Sequence, residues 1–180
     1  TISQLGYVTI GALLATSSGV IGSSMHIAMH AFGKITLFFC AGAILVTLHK
    51  SKISDMRGIG LKMPITMGAF FIASLSIIGV PPTGGTWSKW YLMMGTIETE
   101  QFVLMVILML SSLLNIAYLL PISFHAFFPK LSRFNASASS TKSSENRLPI
   151  FDIKEAPLPS LIAIVVTTLG CLTLFVYPQP

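Results

Sequence analysis

Long runs without a formal charge alternate along this chain with short clusters that carry nearly all of it. Residues 1–25 contain no Asp, Glu, Lys or Arg, residues 35–48 stay apolar after a single lysine, and 63–88, 101–129 and 156–180 are also uncharged. A helix crosses a hydrocarbon core of roughly 30 Å with about 20 apolar residues, at about 1.5 Å each. The pattern therefore predicts an all-α fold, a polytopic transmembrane helix bundle of about six segments, over about 2–21, 25–48, 63–79, 80–97, 101–128 and 158–177. Gly22-Ser23-Ser24 separates the first two, and Pro64 suits the first turn of the third. Gly79-Val80-Pro81-Pro82-Thr83-Gly84-Gly85-Thr86 cannot continue a regular helix, so a discontinuity is expected near residues 79–89. The segment after it either completes a broken crossing or is re-entrant. Pro121 should kink the fifth segment. Residues 129–157, with no hydrophobic period, read as a polar aqueous loop between a unit over 1–128 and a C-terminal helix over 158–177.

Composition agrees with a membrane location. Hydrophobic residues make up 53% of the 180 and charged residues 9%, against about 25% charged in ordinary soluble domains. Eleven Lys and Arg against six Asp and Glu give a net charge of +5. In a soluble protein that balance would point to nucleic acid; here the bases sit in loops, where they orient helices and meet anionic headgroups. Both the 50–62 loop and the 129–157 loop are basic, so the side of the membrane depends on whether the broken segment crosses. The first stretch lacks the basic lead-in of a signal peptide and begins with Thr in mid-helix, which reads as a piece of something longer. Cys40 and Cys171 lie inside apolar spans with no partner at metal spacing. Without a Ser/His/Asp set or a Walker-type loop, no enzymatic centre, cofactor or metal is expected.

The chemistry lies in the few ionisable residues inside apolar runs. His26, His30 and Lys34 follow one another at four-residue steps, which place side chains on one helix face over about 12 Å. Three such groups in line can relay protons. A lysine at a helix centre costs about 2.5–3.5 kcal/mol on insertion scales, so Lys34 has to face protein or water. Burial disfavours the charged form of an amine, the condition for it to give a proton away as well as take one. The same residues also fit a plainer arrangement, in which Lys34 reaches an interface and the histidines bond neighbouring helices. Lys89 follows the Pro-Pro-Thr-Gly-Gly-Thr break, where freed carbonyls can line a polar cavity, but Trp87 and Trp90 also fit a lysine at a membrane boundary. His125, beside Pro121, is a further candidate for a polar path. Ser111, Ser112 and Asn115 fit helix association, and Glu98 and Glu100 mark an aqueous end.

Three motifs resemble one family. They are Thr1-Ile2-Ser3-Gln4-Leu5-Gly6-Tyr7, His26-x-x-x-His30-Ala31-Phe32-x-Lys34-x-x-Leu37-Phe38, and Gly79-x-Pro81-Pro82-x-x-Gly85-x-x-Ser88-Lys89. In order and spacing they are similar to the antiporter-like proton-conducting subunits, which include large membrane-arm subunits of respiratory complex I and subunits of Mrp-type sodium/proton antiporters. Leu114 to Pro121 and Glu155-Ala156-Pro157 look more like the D-type member of the antiporters. The resemblance covers residues 1–128 and implies the second of two inverted repeats, built around a discontinuous helix. It assigns His26, His30 and Lys34 to a proton relay with its central lysine, and Lys89 to the terminal lysine. The first repeat, with its glutamate-lysine pair, has no counterpart in these residues. The implied activity is proton translocation in a monovalent cation (Na⁺)/H⁺ antiporter. The alternatives are a proton-pumping subunit of NADH:quinone oxidoreductase and a non-conducting scaffold. Other membrane subunits, lipid, protons and Na⁺ are the expected partners, nucleic acid is not, and the bacterial inner membrane is the expected location.

Overall fold

The computed structural model describes residues 2–49, 59–127 and 155–177. Most of the predicted polar loop and of the basic loop lies outside them. The described residues are helical: α1 (Ile2–Leu13), α2 (Ser17–Leu48), α3 (Ile59–Lys62), α4 (Pro64–Ile78), α5 (Gly85–Glu98), α6 (Phe102–Phe127) and α7 (Leu158–Val176). The all-α transmembrane bundle expected from the sequence is what forms.

The first break falls at residues 14–16 and not at Gly22-Ser23-Ser24. Ala15 takes a left-handed φ of 52°, and the Thr16 side chain caps α2 by accepting from the Gly19 amide at 3.1 Å. Ser23 and Ser24 do not interrupt the helix, because each hydroxyl bonds back to the Val20 carbonyl at 2.9 Å. Gly22 is where α5 presses closest, since a Cβ there would lie 2.8 Å from the Leu92 amide nitrogen. It is a packing glycine, which along the chain looks the same as a terminating one.

As a result α2 is 32 residues long, about 48 Å, and forms the axis of the bundle. Gly19, Gly22, His26, Met29, Gly33, Thr36, Cys40 and Ala43 are buried along it, a three-four alternation that keeps one stripe facing its neighbours. Helices α1, α4, α5 and α7 all pack on α2. Small side chains in the stripe let the backbones approach, as membrane helix contacts require. The core lies at two levels, around Ile44, Met63, Met67 and Ile164 at one and around Tyr7, Leu92 and Leu108 at the other.

The outer surface is apolar. Val103, Val106, Ile107, Leu110, Leu113 and Leu114 on α6 are exposed, with Ile162, Val166 and Leu169 on α7. A water-soluble fold does not expose such a continuous apolar surface, and a bilayer solvates it. Three helices, α2, α6 and α7, are long and apolar enough to cross a membrane. The chain is an integral membrane protein.

Helices α4 and α5 are the halves of the predicted discontinuous helix. α4 stops at Gly79, whose φ of 85° is left-handed and whose amide bonds the Leu75 carbonyl at 2.8 Å. The connection through Pro81 and Pro82 is tied to α7, where the Gly84 amide donates to the Cys171 carbonyl and the Trp87 indole to that of Phe175. The far end of α4 is capped by Glu155, whose carboxylate accepts from the Ile65 amide at 2.9 Å and the Thr66 hydroxyl at 3.1 Å.

Candidate functional site

The break between α4 and α5 creates a seat for a cation. In a continuous helix the amides of residues 81 and 82 would bond the carbonyls four residues back, those of Ile77 and Ile78. Proline has no amide hydrogen, so both carbonyls are orphaned at the C-terminal, negative end of α4. Lys89, one turn into α5, fills the vacancy: its Nζ donates to the Ile77 carbonyl at 3.2 Å and to that of Ile78 at 2.7 Å. A third donation goes to Ser112 Oγ on α6 at 3.1 Å. Three N–H bonds meet three acceptors, which is the full complement of an ammonium. The Tyr7 ring adds its face, 5.1 Å from Nζ. Lys89 is 9% exposed and points inward to these carbonyls, not along the flanking tryptophans to a boundary.

Gly85 makes the seat possible. A Cβ at that position would stand 2.0 Å from the Ser76 carbonyl oxygen and 3.3 Å from Gly79 Cα, so only glycine lets the two half-helices lie this close.

His26 lies on the buried stripe of α2, 3% exposed, and both ring nitrogens are engaged. Nδ1 is 3.1 Å from Ser88 Oγ, and Nε2 is 3.0 Å from Gln4 Oε1 on α1. Ser88 in turn donates to the Gly85 carbonyl at 3.1 Å. With the Gln4 oxygen against Nε2, that nitrogen donates; Nδ1 either accepts the Ser88 hydrogen in a neutral ring or, with that hydrogen given to Gly85, donates in an imidazolium. Turning the Gln4 amide over lets its nitrogen, buried without a partner, donate to Nε2, and then a neutral ring is equally well bonded. The Ser88 hydroxyl and the Gln4 amide therefore fit the pocket to either protonation state.

The three residues at four-residue steps do not share one environment. Four residues turn an α-helix by about 400°, so each step drifts about 40° from the last. His26 sits on the stripe, His30 is part-exposed beside it, and Lys34 is part-exposed about 80° round from His26. His30 stacks on His26 with ring centroids 6.2 Å apart and planes inclined by 4°, and its Nδ1 is buried with no hydrogen-bond partner. The Lys34 ammonium lies 5.6 Å over the Phe38 ring. Between His26 and Lys89 stands Tyr7, its ring centroid 5.1 Å from that of His26. Histidine 125 belongs to α6, but its side chain lies outside the described residues.

The structure therefore brings His26 and Lys89 to Tyr7, with His30 stacked on His26 and Lys34 at the outer end of the row. It adds Gln4, Tyr7, Ser88 and Ser112, for which the sequence alone suggests no part in proton chemistry. Uncharged polar side chains inside apolar helices are the available signal, and the double proline could have announced the orphaned carbonyls. A cavity of about 340 Å³ opens beside Lys89, Ser112 and Tyr7. Among the described residues no cluster of His, Cys, Asp or Glu could hold a metal ion.

Comparison with known proteins agrees with this architecture. Residues 1–115 match the family described as NADH:quinone oxidoreductase/Mrp antiporter, TM. The chain is 35% identical to the N subunit of NADH-quinone oxidoreductase from Desulforudis audaxviator over 99% of its own length, which is 35% of that relative. It is 29% identical to the D subunit of the Na⁺/H⁺ antiporter from Alkalihalophilus pseudofirmus over 71% of its length and 26% of that relative. A chain of the Mrp complex from Dietzia sp. DQ12-45-1b superposes with a TM-score of 0.81 at 19% identity, covering 99% of this chain and 38% of that one, a likeness of fold. This chain thus spans about a third of the length of such relatives. The match over residues 1–115, laid on a bundle built around a broken helix, makes the chain a member of the NADH:quinone oxidoreductase/Mrp antiporter transmembrane family.

Proposed function

We propose that this chain carries one proton half-channel of a multisubunit monovalent cation/proton antiporter in a bacterial plasma membrane. Protons enter along Lys34, His30 and His26 and exchange with Lys89. The observation that carries this reading is the Lys89 seat, a buried amine held by three neutral acceptors with no carboxylate opposite it among the hydrogen bonds described. A carboxylate partner would hold the charge in place, whereas three neutral acceptors beside a cavity seat the ammonium less firmly and leave it open to exchange. The stacked histidines and the two-way Gln4 amide give the other end of the path groups that change protonation state with little movement.

Partner subunits would supply the remaining half-channels and the cation route. The antiporter assignment rests on the motif resemblance to the antiporter's D-type member and on the fold of the Mrp complex. A second reading places the same half-channel in an NADH:quinone oxidoreductase, where redox chemistry in other subunits drives it. The longer match at higher identity to the N subunit of that enzyme favours it.

The test is H⁺ transport by the assembled complex in sealed vesicles. Lys89→Ala and Lys34→Ala should each abolish it while leaving assembly intact, and full activity in Lys89→Ala would sink the half-channel. Transport driven by a Na⁺ gradient without electron donor identifies the antiporter; transport requiring NADH and quinone identifies the second reading.

A further inference from the structure

We propose that Ser112 is the relay through which Lys89 gains and loses its proton, and that the Tyr7 hydroxyl sets the direction of that relay. The inference deepens the half-channel reading above and rests on it.

Of the three groups that receive the Lys89 hydrogens, two are backbone carbonyls, which accept and never donate. Ser112 Oγ, at 3.1 Å, can do both. Next to it lies Tyr7 Oη, 3.1 Å from Ser112 Oγ and 3.2 Å from the Leu108 carbonyl. Each hydroxyl has one hydrogen, so the charge on Lys89 fixes both. With an ammonium, Lys89 donates to Ser112, Ser112 to Tyr7, and Tyr7 to the Leu108 carbonyl. A neutral amine has two hydrogens for the Ile77 and Ile78 carbonyls and a lone pair for Ser112. The Ser112 hydrogen then turns to nitrogen and the Tyr7 hydrogen turns to Ser112. Two hydroxyl rotations exchange the settings, and Leu108 keeps its ordinary helical amide partner.

Lys89, Ser112 and Tyr7 all line the cavity of about 340 Å³; its other walls, Leu92, Met93 and Leu108 among them, are mostly apolar, so the water that takes part is one held at these three polar side chains. The step is balanced with water as co-reactant. The Ser112 hydrogen first swings from Tyr7 to a cavity water; as it passes to that water, a Lys89 N–H bond breaks and a new Ser112 O–H bond forms, and Tyr7 turns its own hydrogen from Leu108 to Ser112. The products are a neutral amine, an unchanged serine and hydronium, and uptake is the reverse. No electron moves.

The experiment uses the full assembled complex in vesicles, with H⁺ flux followed across pH in H₂O and in D₂O. Ser112→Ala should slow flux about a hundredfold, the usual worth of a positioned proton-transfer group, and change its pH profile and solvent isotope effect. Ser112→Thr, which restores a hydroxyl, should recover most of the flux. Tyr7→Phe keeps the ring over Lys89 but removes the hydrogen that turns towards Ser112, and it should slow flux about tenfold with an altered isotope effect. If Ser112→Ala conducts with wild-type rate, pH profile and isotope effect while Lys89→Ala does not conduct, the relay is overturned and the half-channel stands. Conduction by Lys89→Ala overturns both. Should Ser112→Ala fail to assemble, Tyr7→Phe decides, and wild-type flux and isotope effect in that variant overturn the relay.

Discussion

Replacing Gly85 by alanine adds one methyl group at the point where the halves of the broken helix meet, and its effect can be worked from the structure. The new Cβ would stand 2.0 Å from the Ser76 carbonyl oxygen and 3.1 Å from its carbon, both rigid backbone. Carbon contacts are comfortable near 3.5 Å, so α4 and α5 would have to separate by about 1 Å or more. Lys89 rides on α5 and its carbonyl partners on α4. Adding that separation to bonds of 2.7 and 3.2 Å takes both beyond hydrogen-bonding range. Overpacking costs about 1–3 kcal/mol, and each lost bond to a charged group about 1.5–3 kcal/mol. If about 2 kcal/mol of this falls on the conducting geometry, H⁺ flux drops about thirtyfold. Gly84→Ala is the control, since its Cβ would meet Leu174 Cβ at 3.0 Å and Met29 Cε at 3.2 Å, away from the seat. Both variants should be purified in the complex and compared for melting temperature and vesicle H⁺ flux. Wild-type flux in Gly85→Ala, or equal losses in the two variants, would refute the close approach of the half-helices as the basis of the seat.

Three further outcomes are expected. Pro82→Ala returns an amide that can compete with Lys89 for the Ile78 carbonyl, so flux should fall while thermal stability holds or rises; unchanged flux would speak against the orphaned-carbonyl seat. Gln4→Leu leaves His26 Nε2 without a partner, and loss of a buried hydrogen bond of this kind costs about 1–3 kcal/mol. Flux should drop about tenfold or more, with Gln4→Asn recovering little, because the shorter amide does not reach. Glu155→Ala removes the cap of α4 and should cost about 1 kcal/mol, read as a lower melting temperature with H⁺ flux nearly intact. A large flux defect at unchanged stability would give Glu155 a part in conduction instead.

How far the sequence can be read depends on whether one segment suffices to settle each feature. The break is visible because proline and glycine act on their own backbone, and its position near residues 79–89 follows from the residues alone. The boundary between α1 and α2 is not, because Gly22 owes its place to α5, which meets it at Leu92 from far along the chain. A glycine packed against another helix looks in sequence like one that ends a helix. Lys89 is a candidate by sequence, but its choice between a boundary and an interior seat turns on carbonyls contributed by α4 and a hydroxyl from α6.

The histidines and Lys34 show the same division within one helix. Four-residue spacing fixes their order along α2, and a uniform apolar sequence around them fixes a membrane setting. What covers each one depends on which stripe of α2 the other helices choose. The stripe runs through Gly19, Gly22, His26, Met29 and Gly33 at alternating three- and four-residue steps, so the His26, His30 and Lys34 row winds away from it. The sequence by itself determined the membrane setting, the helical class, the broken helix and the rarity of buried charge, since each follows from hydropathy or local backbone chemistry. Only tertiary structure decided which amine is enclosed, which hydroxyls touch it and where Gln4 meets His26, because a hydrogen bond between helices depends on two segments whose separation in sequence carries no trace of their contact.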